Sequence, residues 1–128
     1  MALFDSLPAE VSIYEVSPRD GLQNEANPIP TPAKIAFIEA LAAAGLPVVE
    51  ATSFVNPRAV PQMADADEVM RGLRRRPGVL YPALVPNERG LQRALAAGVT
   101  EIALFTSATE EFAQANVGTS IDGTFARF

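Results

Sequence analysis

The chain has 128 residues, 48% of them hydrophobic and 20% charged, with a net charge of −5, which predicts one globular domain and excludes a disordered chain. It contains no cysteine and no histidine, so disulfides, thiolate nucleophiles, zinc–cysteine sites and imidazole bases are excluded, leaving carboxylates, arginines, amides and hydroxyls for any chemistry. No basic run is longer than Arg74-Arg75-Arg76, so nucleic acid is not an expected partner.

In chain order, the first stretch ("MALFDSLPAEVSIYEV") carries Asp5 and Glu10 and has no basic start or sustained apolar run. No signal or transit peptide is expected there, and the expected location is cytoplasmic. Residues 11–16 read as a strand that runs into Pro18-Arg19-Asp20-Gly21. Thr31-Pro32 reads as a helix start, with Thr31 capping and Pro32 at the first helical position. Ile35, Ile38, Leu41 and Ala42 share one helical face, and Gly45 suits the left-handed position after the last turn. The longest apolar run, Ala40 to Val49, is ten residues and holds Gly45 and Pro47, about half the roughly 20 a membrane helix needs, so no membrane partner is expected.

A second strand is expected over 47–52. The proline-rich loop "SFVNPRAVPQM" follows it. Asp65 to Arg76 reads as a helix with Val69, Met70 and Leu73 inward and its arginines at the solvated C-terminal end, complementing the dipole. Pro77-Gly78 ends that helix. A third strand is expected over 79–85, then a helix capped by Asn87, with Leu91, Ala94 and Leu95 inward, closed by Gly98. A fourth strand is expected over 100–106, and a further helix opens near Ser120. "ALAAAGLPVVEATS" and "ALAAGVTEIALFTS" share one grammar of helix end, glycine, apolar strand and Thr-Ser, as any two βα units do. Strand–helix alternation predicts an α/β fold with parallel strands, either a doubly wound sheet or part of a (β/α)₈ barrel.

Both architectures gather ligands at the C-terminal ends of the strands. Arg19-Asp20, Glu50 with Thr52 and Ser53, Pro86-Asn87 and Thr106-Ser107 all fall there. Asp20 offers an oxygen ligand for a hard divalent cation, and Arg19 offers charge for a developing enolate, unless the pair merely shapes the turn. Glu50, inside the apolar "VVEA", is either an acid/base or site-organising carboxylate or the partner of a buried arginine. Glu101 begins its strand at the opposite rim and reads as structural. The long loop after the second strand either binds something or packs on its own Phe54, Val55 and Met63.

Taken together, "EVSPRDGLQNE", "TPAKIAFIEAL", "VVEATSFVNPRAVPQMADADEV", "YPALVPNERG" and "AAGVTEIALFTSATEEF" resemble the 3-hydroxy-3-methylglutaryl-CoA lyase family, in register over residues 11–128. The first and third motifs are the specific ones. The resemblance implies a (β/α)₈ barrel of which residues 1–128 form the N-terminal part, about the first three and a half to four of eight units. It implies cleavage of 3-hydroxy-3-methylglutaryl-CoA to acetoacetate and acetyl-CoA, an acyl-CoA substrate, Mg²⁺ or Mn²⁺, and a homo-oligomeric full-length enzyme. Asp20 matches the family's metal-binding aspartate, Arg19 the catalytic arginine that steadies carbonyl and enolate oxygens, and Glu50 a catalytic-site glutamate. Gln23 and Ser53 match substrate-pocket positions.

The family's His-X-His metal pair, cysteine loop and metal-binding asparagine fall later than these residues, so the chain alone is expected to be inactive. Half a barrel also leaves two sheet edges free and deprives interior residues such as Ile13, Val49 and Leu104, or their alternating neighbours, of half their packing partners. A related aldol-type synthase, and a non-catalytic half-barrel that oligomerises, are the alternatives.

Overall fold

The computed structural model describes residues 7–128. Its strand pairs are all parallel and follow chain order: β1 (Tyr14–Glu15) pairs with β2 (Val48–Val49), β3 (Thr52–Ser53) with β4 (Ala83–Leu84), and β4 with β5 (Ile102–Ala103). Val49 and Ala51 N–H groups donate to the carbonyls of Leu80 and Pro82, both at 2.9 Å, so residues 48–53 are one strand carrying β1 on one side and β4 on the other. The helices α1 (Thr31–Ala43), α2 (Ala66–Gly72) and α3 (Glu88–Ala96) lie between successive strands, and α4 (Glu110–Val117) and α5 (Ile121–Phe125) follow β5. This is the strand–helix alternation that the sequence predicts.

The regular pairing is shorter than the strands expected over 11–16, 47–52, 79–85 and 100–106, for two local reasons. Pro82 has no N–H to give to the ladder. The register also slips: Val48 opposes Leu80, 32 residues on, whereas Thr52 opposes Ala83, 31 residues on. One extra residue therefore sits between Val48 and Thr52, a β-bulge that separates β2 from β3; Ala51 N–H still keeps the spacing of Val49 N–H, so the bulge falls on Ala51-Thr52, directly after Glu50.

The core lies between this sheet and α1–α3. Ile38, Val49, Val69, Ala83 and Ala94 are fully buried, with Phe54, Met70 and Tyr81 nearly so. Val49 thus packs into the helix-covered core instead of losing its partners, while Ile13 and Leu104 are 54% and 48% exposed. Gly45 and Gly98, at φ +98° and +76°, take the left-handed positions expected after α1 and α3.

Three expectations are corrected. Thr31 is inside α1 and does not cap it; its Oγ1 donates to Asp65 Oδ2 at 2.7 Å, and the capping position belongs to Pro30. The second helix stops at Gly72, with Leu73 extended, because Arg74 N–H donates to Glu39 Oε1 (3.0 Å) and Arg76 N–H to the Tyr81 hydroxyl (3.0 Å). Glu39 holds Arg74 through an ion pair as well, and Arg75 Nη2 donates to Gly98 O, yet all three arginines stay exposed, Arg74 with 89% of its side chain, so they are solvated as expected but lie just beyond the helix end. Leu95 is 57% exposed, because the turn of α3 that packs inward is centred on Ala94.

The helix α4 is absent from the sequence reading. Thr109 caps it, accepting from Phe112 N–H, Glu110 and Glu111 fill its first turn, and Gly118 ends it at φ +68°. Those are ordinary start and stop signals, and they were legible. Ile38 and Leu95, both expected on inner helical faces but one buried and the other exposed, give a test. Ile38→Ala is expected to cost about 2–5 kcal/mol and Leu95→Ala less than about 0.5 kcal/mol. Urea melts of the intact protein measure both.

Candidate active site

The segment after β1 does not turn tightly. Ser17–Gly21 forms one π-helical turn, closed by Leu22 N–H reaching back five residues to Ser17 O. Such widened turns cost backbone geometry and occur mostly at functional sites. Pro18 is fully buried at its start and Glu15 Oε1 accepts from Ser17 N–H at 2.8 Å, which fixes the entry. That bond holds the Glu15 carboxyl below its usual range.

The turn presents Arg19 to Glu50. Arg19 Nε donates to Glu50 Oε1 at 2.5 Å, and Tyr14 Oη donates to Glu50 Oε2 at 2.7 Å. Glu50 is 3% exposed, so its charge is stable only because both oxygens are occupied and the guanidinium lies against one of them. Arg19 Nη1 also donates to Asp20 Oδ1 at 3.0 Å, while Nη2 makes no hydrogen bond among the described residues. The Tyr14 phenol is pushed well above its usual 10.0, first by burial and then by its bond to the Glu50 carboxylate.

Of the residues expected at the site, Arg19, Asp20 and Glu50 form one connected chain of hydrogen bonds. Asp20 is 59% exposed in its side chain. Gln23, one short helical turn on, has a buried Oε1 with no partner among the described residues. Ser53 is fully buried and its Oγ reaches Leu84 O at 3.4 Å, so it braces β3 on β4. Glu101, expected to be structural, accepts from Thr100 Oγ1 at 2.6 Å.

Three residues essential to this geometry were not singled out in sequence. Tyr14 starts β1 as an ordinary β-former. Gln62 lies in the proline-rich loop, where its Nε2 donates to Glu25 O (3.1 Å) and Asn27 O (2.9 Å) and its Oε1 accepts from Ile29 N–H (2.9 Å). Lys34 is buried beneath it, donating from Nζ to Gln62 O and, at 2.7 Å, to Asp65 Oδ1. A lysine on the inner face of α1 was the available signal, because a buried ammonium needs a carboxylate partner. The loop therefore does pack on its own Phe54 and Met63, both nearly fully buried, and it also straps the segment after the π-turn.

The HMGL-like family profile matches residues 10–128. The chain belongs to the HMGL-like family. The mitochondrial hydroxymethylglutaryl-CoA lyase of Bos taurus is 56% identical over 123 residues, 96% of this chain and 38% of its own length. The cytoplasmic 3-hydroxy-3-methylglutaryl-CoA lyase of Rattus norvegicus is 57% identical over 122 residues, covering 95% of this chain and 36% of that protein. Among solved structures, hydroxymethylglutaryl-CoA lyase from Pseudomonas aeruginosa superposes with a TM-score of 0.91 at 51% identity, covering 95% of this chain and 41% of that one. A lyase from Acinetobacter baumannii, solved with coenzyme A and 3-methylmalate, gives 0.85 at 40% identity over 91% of this chain and 38% of that one. The chain spans well under half the length of the family relatives it matches, and its fold is the corresponding part of their (β/α)₈ barrel.

The Tyr14–Glu50 bond has a spectroscopic consequence. The sequence has two tyrosines, so Tyr81→Phe leaves Tyr14 as the only phenol. Although Tyr14 is 46% exposed, its absorbance at alkaline pH is expected to show an ionisation displaced above 10. A folded-state transition near 10 would contradict the bond.

Proposed function

We propose that this chain carries the enolate-stabilising part of a 3-hydroxy-3-methylglutaryl-CoA lyase site, and that the protein cleaves that thioester to acetoacetate and acetyl-CoA. The observation that carries the reading is Arg19: it is fastened at Nε by buried Glu50, set beside Asp20, and left with an unspent Nη2. A guanidinium fixed in that way costs no reorganisation when negative charge appears before it.

The reaction removes the proton of the tertiary hydroxyl and breaks the adjacent carbon–carbon bond. The hydroxyl oxygen becomes the ketone of acetoacetate, and the bonding pair moves to the thioester carbon chain as an enolate. Protonation of that enolate gives acetyl-CoA. Arg19 donates from its free nitrogen to the thioester oxygen, whose charge grows as the bond breaks. Glu50 does not transfer a proton in this scheme, since Arg19 and Tyr14 occupy both its oxygens; it holds the guanidinium in place. Gln23 offers its unpaired Oε1 to a hydroxyl of the substrate.

Asp20 suits one oxygen ligand of a divalent cation, Mg²⁺ or Mn²⁺. Its exposed carboxylate uses one oxygen on Arg19, and among the described residues no group of three acidic, histidine or cysteine side chains surrounds it. Hard dications take about six oxygen ligands, so this chain supplies one of several. The ion, when bound, adds positive charge at the substrate oxygens. With only that one ligand, the 128-residue chain alone is expected to be inactive. The whole enzyme acts as a homo-oligomer in this reading. No helix of the described residues is long and apolar enough to cross a membrane; the cytoplasmic location in this reading follows the cytoplasmic relative of Rattus norvegicus.

Arg19→Gln in the intact protein is expected to lower turnover by about 10²–10³, with a much smaller change in KM, because the charge matters most in the transition state. Assay with 3-hydroxy-3-methylglutaryl-CoA measures it, and circular dichroism checks that the variant is folded. An unchanged kcat with only a raised KM would remove Arg19 from the role. Absence of any cleavage by the wild type would remove the reaction itself.

A further inference from the structure

A cavity of about 540 Å³ opens between the segment after β3 and the first turns of α3, on the same rim as the strand C-termini. Arg58, Arg89 and Arg93 all line it, and no aspartate or glutamate does, in a chain whose net charge is −5. Asp67 neutralises Arg93, but the charges of Arg58 and Arg89 repel each other unless something negative lies between them.

Arg93 already has its partners. Its Nη2 donates to Asp67 Oδ2 at 2.5 Å, its Nη1 to Val55 O at 3.4 Å, and its guanidinium carbon lies 5.3 Å from the centroid of the Phe54 ring. The side chains of Arg58 and Arg89 make no hydrogen bond and no ion pair among the described residues. Both nevertheless spring from fixed backbone. Asn56 Oδ1 accepts from Arg58 N–H at 3.0 Å, and Asn87 Oδ1 accepts from Gly90 N–H at 2.9 Å, capping the turn that carries Arg89. Gly90 presses so closely on the loop that an added Cβ would lie 2.7 Å from Phe54 O, so the two walls of the cavity are held together. Exposed Glu88 precedes Arg89 in the same first turn of α3 but is not part of the lining.

The volume falls within the roughly 300–1,000 Å³ of small-molecule sites, more than a bare ion needs. Two uncommitted guanidinium forks match the charge of a phosphate dianion and bind its oxygens in pairs. Phe54, Val55 and Pro57 supply an apolar wall for the rest of a molecule. We propose that this cavity binds a small organic phosphate, its phosphomonoester head held between Arg58 and Arg89. The site contains none of Arg19, Asp20, Gln23, Glu50 or Ser53, so it stands apart from the lyase reading.

The test is calorimetric titration of the intact protein with inorganic phosphate at constant ionic strength. Wild type is expected to bind, and the double variant Arg58→Gln/Arg89→Gln to bind at least tenfold more weakly. Arg71→Gln, which removes an exposed arginine of α2 outside the cavity, is expected to bind like wild type. Thermal melts check that the variants are folded, as substitutions of exposed side chains should be. Equal phosphate affinity in the double variant, or no binding by wild type, overturns the proposal. Coenzyme A and dephospho-coenzyme A, which lacks the phosphomonoester, then separate two sources of the same chemistry. Tighter binding of coenzyme A that is lost in the double variant supports the site and assigns the phosphate to an acyl-CoA. Equal binding of the two, with inorganic phosphate still sensitive to the arginines, supports the site and assigns it to a separate phosphomonoester.

Discussion

The buried carboxylate of Glu50 is the constraint on which the rest of this site depends. An ionised group at 3% exposure inside a parallel strand is costly unless it is paired and fully hydrogen-bonded. Its partners come from the preceding unit: Tyr14 from the start of β1, and Arg19 from the π-turn, 31 residues away in sequence. The pairing therefore joins the first and second βα units at their ligand-binding ends. Removing one partner of such a pair typically costs about 3–5 kcal/mol, since the other charge is left buried. The same bond that stabilises the rim also fixes which guanidinium nitrogens remain for a ligand.

The backbone around Glu50 bends to that need. A bulge at Ala51-Thr52, directly after Glu50, breaks the ladder between β2 and β3, and a π-turn widens the chain at Arg19-Asp20. Both devices sacrifice regular hydrogen bonding to re-aim side chains. The lost regularity is offset by side chains bonded to backbone. Gln62 spends its whole amide on the 25–29 segment, and Lys34, anchored on Asp65, holds the carbonyl of Gln62 from below. A loop too irregular to be a strand or helix is in this way tied to the first unit as firmly as secondary structure would be.

The outer strands show the opposite condition. Val11 and Ile13 beside β1, Ile102 on β5 and Leu104 just after it keep large exposed apolar side chains, whereas on the central strand Val49, Thr52 and Ser53 are buried and Val48 half-buried. A closed barrel covers such surfaces by bringing further strands to each edge. That pattern accords with a chain that matches less than half the length of its relatives.

By itself the sequence determined the order and parallel sense of the elements, because helical and strand periodicities alternate and glycine, proline and asparagine mark the boundaries. It also determined the family, through the motifs around Arg19 and Glu50, and it placed the polar residues at the strand ends. Its misreadings were those where a distant side chain replaced a local rule. Thr31 gives its hydroxyl to Asp65 instead of capping its helix, and Glu39 and Tyr81 take the N–H groups that would have prolonged α2. Helix α4 was an exception, since its capping signals were local and were simply passed over. Whether Glu50 served chemistry or paired with an arginine stayed open in the sequence, and tertiary structure decided its geometry. Hydrogen bonds between residues more than 30 positions apart leave no periodic trace, so only the folded chain could show Arg19, Tyr14 and Glu50 meeting, Gln62 strapping the first loop, and three arginines facing one cavity.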